Sequence, residues 1–203
     1  MSEKIKLGAY GGTFNPPHLG HVSAAHAFQK QLSLDKLLII PDFIPPHKAL
    51  DFDPGPEMRL EMCRLAFSDI PGTVISDMEI NRGGKSYTAD TLTELSKLNS
   101  ELYFLVGTDM FLTLDTWYHP EIIFQKAVIC YVRRENDLEN EVLIEKKKRL
   151  YEKKFGARIV PVLCEAVEIS SSEIREAACD PDLRREYLGD AVADYIAEKG
   201  IYG

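Results

Sequence analysis

Along the chain the apolar positions switch repeatedly between a period of two and a period of three to four, with Gly- and Pro-rich breaks at the switches. Lys4 to Tyr10 reads as a strand, Gly11 to Pro17 as a Gly/Pro loop, and Leu19 to Leu32 as an amphipathic helix. The unit recurs. Lys36 to Ile40 is a strand, Pro41 to Pro56 a long proline-rich loop, and Glu57 to Phe67 a helix rich in Met, Leu and Arg. Thr73 to Ile80 is a third strand, leading through Asn81 to Ser86 into a helix from about Thr88 to Leu98. Glu101 to Val106 follows as a strand, with a Gly107-Thr108-Asp109 turn and a short helix after His119-Pro120. The strand Ala127 to Val132, a charged helix from Leu143 to Lys154 and the strand Arg158 to Leu163 come next. Helices over about Ser171 to Ala178 and Asp190 to Glu198 complete the pattern.

Each parallel crossover needs a helix-length return, so this alternation predicts an α/β fold. Its sheet is parallel and doubly wound, with helices on both faces. Residues 1–203 read as one domain in which 170–203 form a small helical C-terminal part. Ligands of such sheets gather outside the carboxyl ends of the strands. The loops to search are therefore Gly11 to His21, Pro45 to Lys48 with Arg82 to Thr88, and Gly107 to Trp117, together with Ile169 to Arg175.

Composition narrows the ligand. Of the 203 residues, 45% are hydrophobic and 28% charged, which suits a globular core and excludes disorder. Lys and Arg total 24 against 32 for Asp and Glu, a net charge of -8 that repels polyanions. Nucleic acid is not the expected partner, and a phosphate ligand requires a local pocket of cations and backbone N–H groups. Leu37 to Ile40 and Ala127 to Val132 fall far short of the roughly 18 apolar residues of a spanning helix, so no membrane is expected. No export leader is expected at the start of the chain, and Cys63, Cys130, Cys164 and Cys179 form no C-x-x-C pair. Reduced thiols in a cytoplasmic protein follow. A homo-oligomer is compatible with this composition.

The run Gly11-Gly12-Thr13-Phe14-Asn15-Pro16-Pro17-His18-Leu19-Gly20-His21 follows a strand and opens a helix. Backbone N–H groups there face an anion well. Its glycines match neither G-x-G-x-x-G nor a loop ending in G-K-S/T, which excludes the dinucleotide-oxidoreductase and P-loop readings. His18 and His21, three apart, share one helix face. A zinc site lacks a third ligand, because His26 points elsewhere. Either histidine alone reads as a helix cap; the pair after a Gly-Gly turn points to an anion.

GGTFNPPHLGH, followed by IPPHK at Ile44 to Lys48, SYTADTL at Ser86 to Leu92, GTDM at Gly107 to Met110 and ISSSEIR at Ile169 to Arg175, resembles the bacterial nicotinate mononucleotide adenylyltransferases. H-x-G-H by itself marks only the broader nucleotidyltransferase superfamily. The resemblance spans nearly the whole chain in order. It implies a Rossmann-like fold and a reaction of ATP with nicotinate mononucleotide that yields the deaminated dinucleotide and pyrophosphate, within NAD biosynthesis. It also implies ATP phosphate contacts for His18 and His21, with His21 on the transition-state charge and His18 positioning. Ser171, Ser172 and Arg175 would hold the β- and γ-phosphates, with Arg175 joining the two histidines in catalysis. Gly11, Gly12, Thr13, Phe14, Gly107, Asp109 and Arg134 line the ATP side, while Lys48, Arg82, Tyr87, Thr88 and Trp117 line the nicotinate nucleotide. Trp117, the sole tryptophan, would stack on the pyridine. Mg2+ arrives with ATP, since no dedicated protein cage for a metal is evident.

The reaction explains the absence of a Ser/His/Asp set. The attacking phosphate oxygen is already anionic, so displacement at the α-phosphorus rests on positioning and charge stabilisation. The run Lys146 to Arg149 reads as a solvated helix face. Asn15 stands where many members have aspartate, Ser172 where threonine is common, and Glu135 where proline is common. Preference for nicotinamide mononucleotide, phosphopantetheine adenylyl transfer, and a nucleotide-binding regulator without turnover are the rivals.

Overall fold

The computed structural model describes residues 4–46, 52–134, 138–164, 170–176 and 180–202; for Arg134, Leu138, Glu139, Asn140 and Pro181 only the backbone is described. In chain order the elements begin with β1 (Ile5–Gly12), α1 (Leu19–Leu32), β2 (Lys36–Pro41), α2 (Pro56–Ala66) and β3 (Thr73–Ile75). Next come α3 (Met78–Arg82), α4 (Thr88–Leu95), β4 (Ser100–Val106), α5 (Thr108–Thr113), a 3-10 turn (Leu114–Thr116) and α6 (Pro120–Lys126). The remainder comprises β5 (Val128–Arg134), α7 (Leu138–Phe155), β6 (Ile159–Cys164), α8 (Ser171–Glu176), α9 (Pro181–Leu188) and α10 (Asp190–Lys199). The strands form one parallel sheet in the order β3-β2-β1-β4-β5-β6. That is the doubly wound Rossmann order, whose chain reversal lies between β1 and β4.

The period-two pattern builds both faces. Leu38 and Ile40 join one buried cluster with Leu7, Phe104, Ile129 and Tyr131. Leu37 and Ile39 join the opposite one with Phe28, Leu105, Val128 and Val162. A third cluster, Met62 with Ile174, Leu188, Val192, Ile196 and Ile201, seats the C-terminal helices on α2. Helix α1 lies so close to β1 that a Cβ on Gly8 would come within 3.0 Å of Phe28 Cε1 on the helix, and within 2.5 Å of Leu34 Cδ1 just past its end. Glycine there sets the approach of α1, and with it the placement of its first turn. At the β6 edge, the Gln31 amide donates to the Leu163 carbonyl and accepts from its N–H, closing backbone groups that would otherwise invite another strand.

Four expectations need correcting. The strand expected to reach Ile80 stops at Ile75, the last residue paired with β2, opposite Ile39, and the chain turns at Ser76 and Asp77 into α3. Gly11 and Gly12 belong to β1, so the loop proper starts at Thr13. Besides α3, two helices were not anticipated. One is α5, opening at Gly107; the other is α9, capped by Asp180, whose carboxylate accepts from the N–H groups of Asp182 and Leu183.

Candidate active site

The loop after β1 lies at the chain reversal and is held from all sides. Gly12 O accepts from the Asp42 N–H at 3.0 Å, and Thr13 Oγ1 donates to Asp42 Oδ2 at 2.8 Å. Phe14 takes the left-handed region at φ 51° and buries its ring edge-on against Tyr10, Phe67 and His21. What Phe14 offers a ligand is therefore its backbone. The Asn15–Pro16 peptide is cis. Arg175 Nη1 donates to Asn15 O at 2.7 Å, Ser171 Oγ donates to Pro16 O at 2.9 Å, and the Tyr202 hydroxyl donates to Asn15 Oδ1.

This loop delivers two histidines onto the start of α1. His18 is its N-cap, and the first turn carries no acidic residue to cancel the positive helix end. The imidazole centroids are 3.7 Å apart. The His18 backbone N–H donates to His21 Nδ1 at 3.2 Å, which requires a lone pair there and puts the ring proton on Nε2. Burial lowers the His18 pKa to about 4, and its Nδ1 is buried with no hydrogen-bond partner. Desolvation, rather than the helix end, is the cause of that shift.

Ser171 and Arg175 reach this loop through its carbonyls. Ser170 and Glu173 cap α8 reciprocally: the Ser170 N–H and hydroxyl donate to Glu173 Oε2 at 2.7 and 2.6 Å, and Ser170 Oγ accepts from the Glu173 N–H at 3.2 Å. Ser170 thus serves as the cap of α8. Ser172 is exposed and accepts from Arg175 Nη2 at 3.1 Å.

On the other side of β1, the Phe43 N–H donates to Ser86 Oγ at 2.9 Å and the Ser86 N–H to Ile44 O at 2.9 Å. Those bonds draw the start of α4, with Tyr87 and Thr88, toward the loop after β2. The Tyr87 ring lies 4.3 Å from that of Tyr118, and Trp117 packs half-buried against the core. Arg82, expected on the nicotinate nucleotide, has its guanidinium donating to Thr91 Oγ1 at 2.9 Å and lying 3.7 Å from both Glu79 and Glu94. Burial raises the pKa of Glu79, against the hydrogen bond it accepts from Thr91. Lys48 and the side chain of Arg134 lie outside the described residues, as do Ile169, Glu135 and Cys179.

After β4, Gly107 caps α5 with φ -67° and ψ 160°, angles open to any residue, and a Cβ on it would meet nothing within 4 Å. Neither backbone nor packing demands glycine there, so what it preserves is open space beside the strand end. Asp109 is exposed in the first turn of α5. Sequence reasoning missed Arg59, Asp42 and Tyr202. An arginine sharing a helical stripe with Met62 and Cys63 was the available signal for the first. Among the described residues no group of three or more His, Cys, Asp or Glu is placed to hold a metal ion, and no helix is long and apolar enough to cross a membrane.

Residues 9–177 match the cytidylyltransferase-like family. A Lachnoclostridium phytofermentans protein named "Probable nicotinate-nucleotide adenylyltransferase" is 38% identical over 199 residues, covering 97% of this chain and 98% of its own length. The chain belongs to the nicotinate-nucleotide adenylyltransferase family. A second adenylyltransferase relative, from Listeria innocua, is 35% identical over 202 residues, with 98% of each chain covered. The adenylyltransferase fold is shared with the nicotinic acid mononucleotide adenylyltransferase of Plasmodium falciparum, solved with APC, at TM-score 0.77 and 18% identity over 98% of each chain. The same protein solved with NaAD gives TM-score 0.77 at 19% identity, covering 98% of this chain and 97% of that one.

Proposed function

We propose that the chain transfers the adenylyl group of ATP to nicotinate mononucleotide, forming nicotinate adenine dinucleotide and pyrophosphate in NAD biosynthesis. One observation carries the reading: two imidazoles 3.7 Å apart at an acid-free helix start, with the His21 proton directed to Nε2 by the His18 N–H. A donor fixed in this way is suited to charge that develops on phosphate oxygens.

In this reading a phosphate oxygen of nicotinate mononucleotide attacks the α-phosphorus of ATP in line. A new P–O bond forms as the bond to the bridging oxygen breaks, and the electron pair leaves with pyrophosphate. His21 donates from Nε2 to the oxygens gathering charge, and His18 positions them. Arg175 exchanges the Asn15 carbonyl for β- and γ-phosphate oxygens, with Ser171 and Ser172 beside it. Gly11, Gly12, Thr13 and Phe14 offer backbone to the nucleotide; Gly107, Asp109 and Arg134 line its adenosine side. Lys48 and Arg82, with Tyr87, Thr88 and Trp117, receive the nicotinate nucleotide. Thr88 and nearby N–H groups offer donors to the pyridine carboxylate, which a carboxamide matches less well.

Nucleotidyltransferases of this kind generally use a divalent metal with ATP. We take it to be Mg2+ arriving on the nucleotide, where it neutralises the departing pyrophosphate. We place the reaction in the cytoplasm, a setting that suits the buried thiols of Cys63 and Cys130. The test is pyrophosphate release from Mg-ATP with nicotinate mononucleotide, nicotinamide mononucleotide or phosphopantetheine as acceptor. Release fastest with the first is expected. None with any acceptor overturns the enzyme reading, and preference for another acceptor overturns the substrate.

A further inference from the structure

Arg59 is fully buried, and a buried guanidinium destabilises a fold unless its donors are matched. Here they are matched by three separate segments. Nε donates to Asp53 Oδ1 at 2.9 Å, Nη1 to Thr13 O at 2.8 Å and to Asp42 Oδ1 at 3.0 Å, and Nη2 to Phe43 O at 3.2 Å. With no exposed surface, Arg59 cannot touch a substrate. Its bonds nevertheless join the two sides of the site. Thr13 opens the loop that delivers His18 and His21, and Phe43 is bonded in turn to Ser86, next to Tyr87 and Thr88. Thr13 Oγ1 and Asp42 Oδ2 make a second, parallel tie.

We infer that Arg59 is a positioning residue for adenylyl transfer, its planar fork fixing the spacing between the loop that serves ATP and the segment that serves the acceptor nucleotide. The inference rests on the adenylyltransferase reading above. Only a fork can serve carbonyls and carboxylates in several directions at once; a lysine ammonium has the charge without the span. The consequence falls on chemistry rather than on binding. Each substrate is held by its own side, whereas their alignment depends on both, and a misplacement of about 1 Å costs on the order of 100-fold.

The test compares wild type with Arg59→Lys in steady-state kinetics and in calorimetric titration with Mg-ATP alone. The expected result is a kcat lowered about 30-fold, with ATP stoichiometry unchanged and the ATP Kd and acceptor KM each within about 3-fold. A merely structural role would lower kcat only in proportion to the loss of ATP-binding chains, and that outcome overturns the inference, as does a kcat within about 3-fold of wild type. If Arg59→Lys does not fold, Asp53→Asn decides on the same criteria, because losing that carboxylate lets the fork rotate; about a 5-fold loss is expected, and none overturns the inference. A wild-type protein that releases no pyrophosphate overturns the adenylyltransferase reading and this one with it. An active wild type with a normal variant overturns this one alone.

Discussion

The loops after β1 and β4 leave neighbouring strands at the same edge of the sheet, yet they are fixed by opposite means. The first is tied by short polar bonds: Thr13 to Asp42 and Arg59, Asn15 to Arg175 and Tyr202, Pro16 to Ser171. The second has polar ties too, Thr108 to Val132 and Tyr151 to Phe111, but rests chiefly on rings. Phe111 stacks on Tyr131 at 4.6 Å and meets Tyr151 edge-on at 5.4 Å, with Leu114 fully buried beside them. Polar bonds are directional and packing is not. A loop that aims donors at moving charge needs the former, while one that offers a floor to flat rings and a gap above Gly107 needs only firmness.

If that contrast is right, the largest catalytic effect belongs to the β1 side. His21→Ala is expected to lower kcat by at least about 100-fold, the scale of one preorganised donor, with little change in melting temperature. Steady-state kinetics beside a thermal melt checks this, and near-normal turnover would refute the role given to His21. Next in size is an effect of acid. The His18 pKa falls from its ordinary 6.5 to about 4, so between these values the unfolded chain binds the proton and the folded chain does not. Stability contributed by neutral His18 is therefore full above 6.5 and is lost as pH falls toward 4. At about pH 5 the loss is about 2 kcal/mol. His18→Gln should flatten that part of the pH profile in urea melts. Hydrogen exchange should show the loss at residues 13–20 and not at 107–117.

The two sides also differ in how much of them could be read before folding. Strands such as Leu37 to Ile40 announce themselves by composition, and Gly11 to His21 by an unusual clustering of Gly, Pro and His. The strand order could not be read, because it depends on which neighbours each crossover reaches. Helix α9 carried its signals, Asp180-Pro181 before it and Gly189 after, and was overlooked. Arg59 was hidden for a different reason. A helical arginine is usually solvated, and only four partners outside its own helix, Thr13, Asp42, Phe43 and Asp53, make this one part of the interior. Arg82 is the reverse case, placed in a motif yet engaged by Glu79, Thr91 and Glu94.

The gap above Gly107 sharpens the comparison from the β4 side. Gly107→Ala needs no backbone change and meets no protein atom within 4 Å, so the melting temperature should hold. If adenosine occupies that space, one methyl group raises the KM for ATP by about 10-fold. An unchanged KM would remove Gly107 from the ATP side.

The smallest effect is expected where the floor itself is altered. The Tyr151 hydroxyl shares its one proton between Phe111 O at 2.8 Å and Asp115 Oδ1 at 3.0 Å, linking α7 to the segment that carries Asp109 and Trp117. Burial first, and then the Asp115 carboxylate, push its pKa upward, so it stays a donor throughout the working range. Tyr151→Phe keeps the ring against Phe111 and Phe124 but leaves the Phe111 carbonyl without that donor. About 1 kcal/mol of stability should be lost in denaturant melts, the ordinary contribution of one hydrogen bond, because the Phe111 carbonyl keeps the Leu114 N–H. Asp115 keeps Lys147 at 2.7 Å, so the segment should stay in place and kcat should remain within about 3-fold of wild type. A fall of more than about 10-fold in a folded variant would mean that the β4 loop, like the β1 loop, depends on single directional bonds, and the division of labour between them would have to be abandoned.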